Sequence, residues 1–96
     1  MTRIKLVRDR IPELIRNEGR KPRIKIVGGE ELLNALNEKF QEEFNEYMIA
    51  KTEAEKLVEL ADVLEVVIST ARHLGMTEQE LLSLCHRKRE DRGAFL

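Results

Sequence analysis

Ninety-six residues with 17 basic and 18 acidic side chains and a formal net charge of -1 fit one small domain. They exclude a chain built mainly to coat nucleic acid or an anionic membrane. A lone cysteine, Cys85, excludes a disulfide framework and a cysteine-based metal site, and there is neither a charged-then-apolar leader nor an apolar run of membrane-spanning length, so the expectation is a cytoplasmic protein with no membrane partner.

Glycine and proline punctuate the chain into four helical segments. The first is expected over residues 9–18, with Asp9 as its cap, Pro12 in the first turn where a missing N–H costs little, and Gly19 as the stop. Residues 23–27 alternate basic and apolar (Arg23, Ile24, Lys25, Ile26, Val27), which predicts an extended connection or a short strand. The second helix is expected over residues 30–50, where Leu33, Leu36, Phe40, Phe44 and Tyr47 form one apolar stripe. On that helix Glu43 lies roughly 80° from the stripe centre and Glu46 roughly 140°, while Glu42 points nearly opposite.

A third helix, residues 53–74, carries a main stripe of Leu57, Leu60, Ala61, Leu64, Ile68 and Ala71, with Val58, Val63 and Val66 on its other faces. A helix apolar almost all round is a buried one. Gly75 ends it, and Thr77-Glu78-Gln79-Glu80 has the S/T-x-x-E form of a capping box opening a fourth helix over residues 78–91. Leu81, Leu84 and Cys85 give that helix its apolar face, on which Cys85 reads as a small buried hydrophobe, and Lys88 and Arg92 extend the face.

Two acidic clusters stand on consecutive helices: Glu42-Glu43-Phe44-Asn45-Glu46, then Glu59-Leu60-Ala61-Asp62. Each holds an acidic pair at i, i+3, which places both side chains on one helix face. Two such helices side by side offer four carboxylates to one point, and that point repels itself unless a cation fills it. Hard oxygen donors suit Mg²⁺, with Mn²⁺ as the second choice, and Mg²⁺ usually works alongside substrate phosphates. The alternative reading of Glu42, Glu43 and Glu46 is a solvated face with Lys39 paired to Glu43. For Glu59 and Asp62, which share a face with Val66, the apolar surroundings weaken that alternative. Lys5, Arg8, Lys39, Lys88 and Arg92 are the candidate phosphate-binding cations, whereas Lys21, Arg23 and Arg89 read as ordinary solvated charge.

With these motifs in order, the chain resembles the all-α nucleoside triphosphate pyrophosphohydrolases, whose signature is EExxE followed by ExxD on consecutive helices. The opening Lys5-Leu6-Val7-Arg8-Asp9-Arg10-Ile11-Pro12 and the closing Lys88-Arg89-Glu90-Asp91-Arg92-Gly93-Ala94-Phe95 look like the MazG-like, phosphoribosyl-ATP pyrophosphohydrolase-like subgroup. The resemblance implies Mg²⁺-assisted hydrolysis of a nucleotide between its α and β phosphates, with a housekeeping role against unwanted nucleotides. By position in the motifs it implies Glu43, Glu46, Glu59 and Asp62 as metal ligands, with Glu42 as a base or supporting group.

The expected architecture is therefore an all-α bundle of about four helices that oligomerises through those helices, as a homodimer or homotetramer. Two other functions compete with the enzyme. One is a non-catalytic helical interaction module of the same fold; the other is a nucleic-acid accessory protein using Lys5, Arg8, Arg10 and the basic residues between Lys21 and Lys25.

Overall fold

A computed structural model describes residues 5–96. Four helices follow in order: α1 (Ile11–Asn17), α2 (Gly29–Ile49), α3 (Glu53–His73) and α4 (Glu78–Arg92), with no strand among the described residues. The protein is all-α, and residues 23–27 form an irregular connection. Their alternation of basic and apolar side chains has no neighbouring strand edge to pair with, so no ladder forms.

Local chemistry sets most helix ends. α1 opens after Arg10 without any side-chain cap, so Asp9 does not take the expected capping role. It closes in a left-handed turn: Gly19 has φ +82°, its N–H reaches the Arg16 carbonyl and the Arg20 N–H reaches that of Ile15. Gly75, at φ +100°, ends α3 in the same way, with its N–H donating to the carbonyl of Arg72 and that of Met76 to Ala71. The Thr52 hydroxyl accepts the Glu55 N–H at 3.1 Å at the start of α3. At α4 the capping box forms as expected, Thr77 and Glu80 each accepting the other's backbone N–H at 3.1 and 3.0 Å. That hydrogen bond holds the Glu80 carboxyl below its ordinary range.

The organising unit is the hairpin of α2 and α3, 21 residues each, joined by a link too short for anything but antiparallel neighbours. α4 leans on α3, and α1 packs against none of the other helices. The buried apolar side chains among the described residues are few: Leu36 from α2 and Val66, Ile68 and Ala71 from α3.

As far as Val66, α3 sits the other way round from what its apolar stripe implies, whereas Ile68 and Ala71 of the same stripe are buried as expected. Leu57, Leu60 and Leu64 are 67%, 44% and 49% exposed, while the face bearing Glu59, Asp62, Val63 and Val66 is half-buried or buried. Phe40 and Phe44 of the α2 stripe are exposed too, as is Cys85. Within one chain there are not enough helices to cover both faces of α3. The face turned inward is the one that takes the acidic residues of α3 to those of α2.

The chain is correspondingly open. Its radius of gyration is 16.1 Å, against about 12 Å for a compact domain of this length. Its accessible surface is 8477 Å², against about 5,700 Å² for a folded monomer of this mass.

Candidate metal centre

Glu42, Glu43 and Glu46 come from the C-terminal half of α2 and Glu59 and Asp62 from the second and third turns of α3. The antiparallel hairpin brings the two motifs level. One carboxylate oxygen from each of Glu43, Glu59 and Asp62 lies within 4.8 Å of the others, and the same holds for Glu42, Glu43 and Glu46. Glu43 belongs to both sets and joins them. All five carboxylates expected from the sequence thus fall in one connected cluster.

The cluster is solvated only at its α2 edge, where Glu46 is exposed and Glu42 half-buried. Glu43 is the one buried charged residue among those described, at 7% exposure, and Glu59 and Asp62 are half-buried. The Oε2 atoms of Glu43 and of Glu59 are both buried with no hydrogen-bond partner. A buried carboxylate oxygen without a donor costs free energy, and a protein retains such an oxygen where something else satisfies it. Burial pushes the Glu43 carboxyl above its ordinary range; Lys39 opposes that rise, and the charges of Glu46 and Asp62 add to it. A divalent cation fits this donor set. Every ligand atom is a hard oxygen, the group carries excess negative charge, and two of its oxygens lack a partner inside the chain.

Cations line the rim. Lys39 sits 3.5 Å from Glu42 Oε2 and 3.3 Å from Glu43 Oε1. From the segment ahead of α1, Lys5 Nζ donates to Glu42 Oε1 at 3.3 Å and Arg8 Nη2 donates to Asp62 Oδ1 at 2.7 Å. Slight burial raises the Glu42 carboxyl, but the Lys5 hydrogen bond and the Lys39 charge outweigh it and hold Glu42 below its ordinary range.

Of the five cations expected at phosphate, then, Lys5, Arg8 and Lys39 are brought to the carboxylates. Lys88 and Arg92 are exposed on α4 and enter none of the ion pairs among the described residues. Sequence reasoning missed that Lys5 and Arg8 lie on the acidic side chains themselves. The charge sequence contained no signal for it, because the contacts span 37 and 54 residues.

A segment of 47 residues is 51% identical to an uncharacterised protein of Mycolicibacterium smegmatis, covering 49% of this chain and 48% of the relative. The match thus spans about half the length of the curated relative. No family model matches the chain. No solved structure matches it. No helix among the described residues is long and apolar enough to cross a membrane.

Proposed function

We propose that the protein is a Mg²⁺-dependent nucleotide pyrophosphohydrolase, adding water across the α–β anhydride bond of a nucleoside triphosphate or related nucleotide to give a monophosphate and pyrophosphate. The observation that carries this reading is the pair of buried, unpartnered oxygens on Glu43 and Glu59, two residues whose carboxylates meet each other and that of Asp62 within 4.8 Å. The resemblance of both acidic motifs and both chain ends to the MazG-like pyrophosphohydrolases supplies the reaction class.

Each residue has a definable task in this reading. Glu43, Glu59 and Asp62, with Glu46 at the outer edge, hold the cation. When bound, the ion neutralises the polyphosphate, orients it and stabilises charge developing on the leaving pyrophosphate. Glu42, kept ionised by Lys5 and Lys39, takes the proton of the attacking water. Lys39, Lys5 and Arg8 stand where phosphate oxygens need donors, Arg8 with a bidentate fork and the lysines as point charges. Lys88 and Arg92 enter this reading only through the resemblance, as further phosphate ligands on α4. The protein performs little covalent chemistry of its own, and positioning and electrostatics carry the rate.

The working form is a homo-oligomer, at minimum a dimer of this chain in the cytoplasm. The protomer exposes roughly 2,800 Å² more than a compact monomer of its mass, while a stable interface needs about 800 Å² per partner. Phe40, Phe44, Leu57, Leu60 and Leu64 lie in that excess surface. The same surface is what favours the second reading, a non-catalytic helical interaction module that holds a partner through its apolar faces.

A pyrophosphate-release screen over natural, deoxy and modified triphosphates, with Mg²⁺ and Mn²⁺, separates the readings. The expected result is a monophosphate and pyrophosphate in equal amounts from at least one nucleotide, abolished by chelator. Release of orthophosphate and diphosphate contradicts the bond assignment, and an inert panel with chelator-independent partner capture supports the interaction module.

A further inference from the structure

We propose that the segment ahead of α1 is an electrostatic strap: Arg8 and Lys5 serve as internal counter-ions for the acidic cluster until a divalent cation displaces them onto the phosphates of an incoming ligand. The proposal rests on the reading of the cluster as a cation site and adds to it a device that couples metal entry to polyphosphate entry.

Three observations carry it. First, Arg8 Nη2 lies 2.7 Å from Asp62 Oδ1 and Lys5 Nζ lies 3.3 Å from Glu42 Oε1, so the strap crosses from the acidic residues of α3 to those of α2. Second, these are its only polar ties to the hairpin among the described residues, and α1, which follows it, packs on no other helix. Third, the ties are of the exchangeable kind. Lys5 and Arg8 are 48% and 59% exposed at the side chain, and ion pairs in such surroundings are weak and readily replaced. Deeper in, the unpartnered oxygens of Glu43 and Glu59 are out of the strap's contacts, so the strap satisfies only the rim of the cluster.

The sequence of events follows from charge. A dication at Glu43, Glu59 and Asp62 takes over the negative charge that holds Arg8 and repels the guanidinium and the Lys5 ammonium. Freed from carboxylates, both become donors for anionic oxygens, and a bound polyphosphate supplies them at the same place. The strap therefore opposes the metal alone and favours the metal with polyphosphate. Such a site stays largely unfilled until both arrive.

The test uses the full chain as wild type, Arg8→Gln, Lys5→Gln and, as a charge-matched control in the same segment, Arg10→Gln, whose side chain pairs with Glu13 and not with the cluster. Mn²⁺ alone is titrated by electron paramagnetic resonance, and Mn²⁺ with inorganic tripolyphosphate by calorimetry. The expected result is a split in sign: Arg8→Gln binds Mn²⁺ alone about three- to tenfold tighter and the Mn²⁺–tripolyphosphate pair about tenfold more weakly. Lys5→Gln follows in the same directions with smaller changes, and Arg10→Gln leaves both within about twofold. In the wild type, tryptic cleavage after Arg8 should speed up at Mg²⁺ concentrations high enough to fill the site without phosphate, and slow again when tripolyphosphate is added. Equal shifts in Arg8→Gln and Arg10→Gln, or shifts of the same sign for both ligands, overturn the strap while leaving the cation site intact. A wild type that binds Mn²⁺ no better than Glu43→Gln overturns the cation site and the strap together.

Discussion

At the scale of single residues, the decisive group is Glu43, buried among carboxylates and served by one lysine. Burial raises its pKa above the ordinary 4.5, so the folded state holds the Glu43 proton more tightly than the unfolded chain. Stability from this group is therefore full below the unfolded value and falls as pH rises through the folded one. Glu42 has the opposite sign: its pKa is lowered, so its contribution is present above 4.5 and disappears as pH drops through its folded value. In chelator-treated protein, the melting temperature of Glu43→Gln should rise relative to wild type as pH increases above the ordinary glutamate value of 4.5, because wild-type Glu43, whose pKa burial raises, must then ionise inside the cluster. Differential scanning calorimetry of both proteins from that value upward checks this, and a difference that shrinks with pH contradicts it.

Glu59→Gln gives the complementary result. Its Oε2 has no partner, so an amide there removes a repelling charge and adds an N–H for a neighbouring carboxylate. Metal-free stability should stay level or rise while pyrophosphate release falls by orders of magnitude. Asp62→Asn should lose activity alike, with little change in melting temperature because the Arg8 pair it weakens is a surface one. Destabilised but fully active variants would mean that these carboxylates serve only packing.

At the scale of elements, α3 must be held in register for its acidic pair to meet that of α2, and its N-terminal cap is part of what holds it. Thr52→Ala removes the hydroxyl that accepts the Glu55 N–H and should cost about 1 kcal/mol in a urea titration, with metal affinity unchanged in the protein that remains folded. A loss below about 0.2 kcal/mol would mean that packing alone sets the start of α3. The helices themselves were legible in the sequence because their signals are local. The α4 capping box, the glycine stops at Gly19 and Gly75, and the i, i+3 pairing of carboxylates each need only a few neighbouring residues to act. The orientation of α3 was not legible. Its leucines make the stronger stripe, and periodicity assigns the stronger stripe to the interior. As far as Val66, the weaker stripe of Val63 and Val66 turns inward with Glu59 and Asp62 and leaves the leucines exposed, while further along Ile68 and Ala71 of the stronger stripe are buried as periodicity assigns them.

Taken as a whole molecule, the protein has a four-helix fold built around a two-helix core, and its surface is too large for its mass. The exposed Leu57, Leu60 and Leu64 of α3 with Phe40 and Phe44 of α2 should find a second copy. Light scattering at micromolar concentration should give at least a dimer, and Leu60→Glu with Leu64→Glu should shift it toward a monomer of 11.2 kDa by placing charge in an apolar interface. A wild-type monomer with a cooperative melt would show that these faces are satisfied in water.

In the proposed function, the carboxylates of α2 and α3 form a divalent cation site working on a polyphosphate. The most direct test of that site is calorimetric titration of a triphosphate with a non-hydrolysable α–β bridge, chosen with the base and sugar that the release screen selects, into wild type and Glu43→Gln. The expected result is saturable binding to wild type with Mg²⁺, loss of that binding in excess chelator, and at least about tenfold weaker binding to Glu43→Gln with Mg²⁺. The same affinity with Mg²⁺ and with chelator would contradict it.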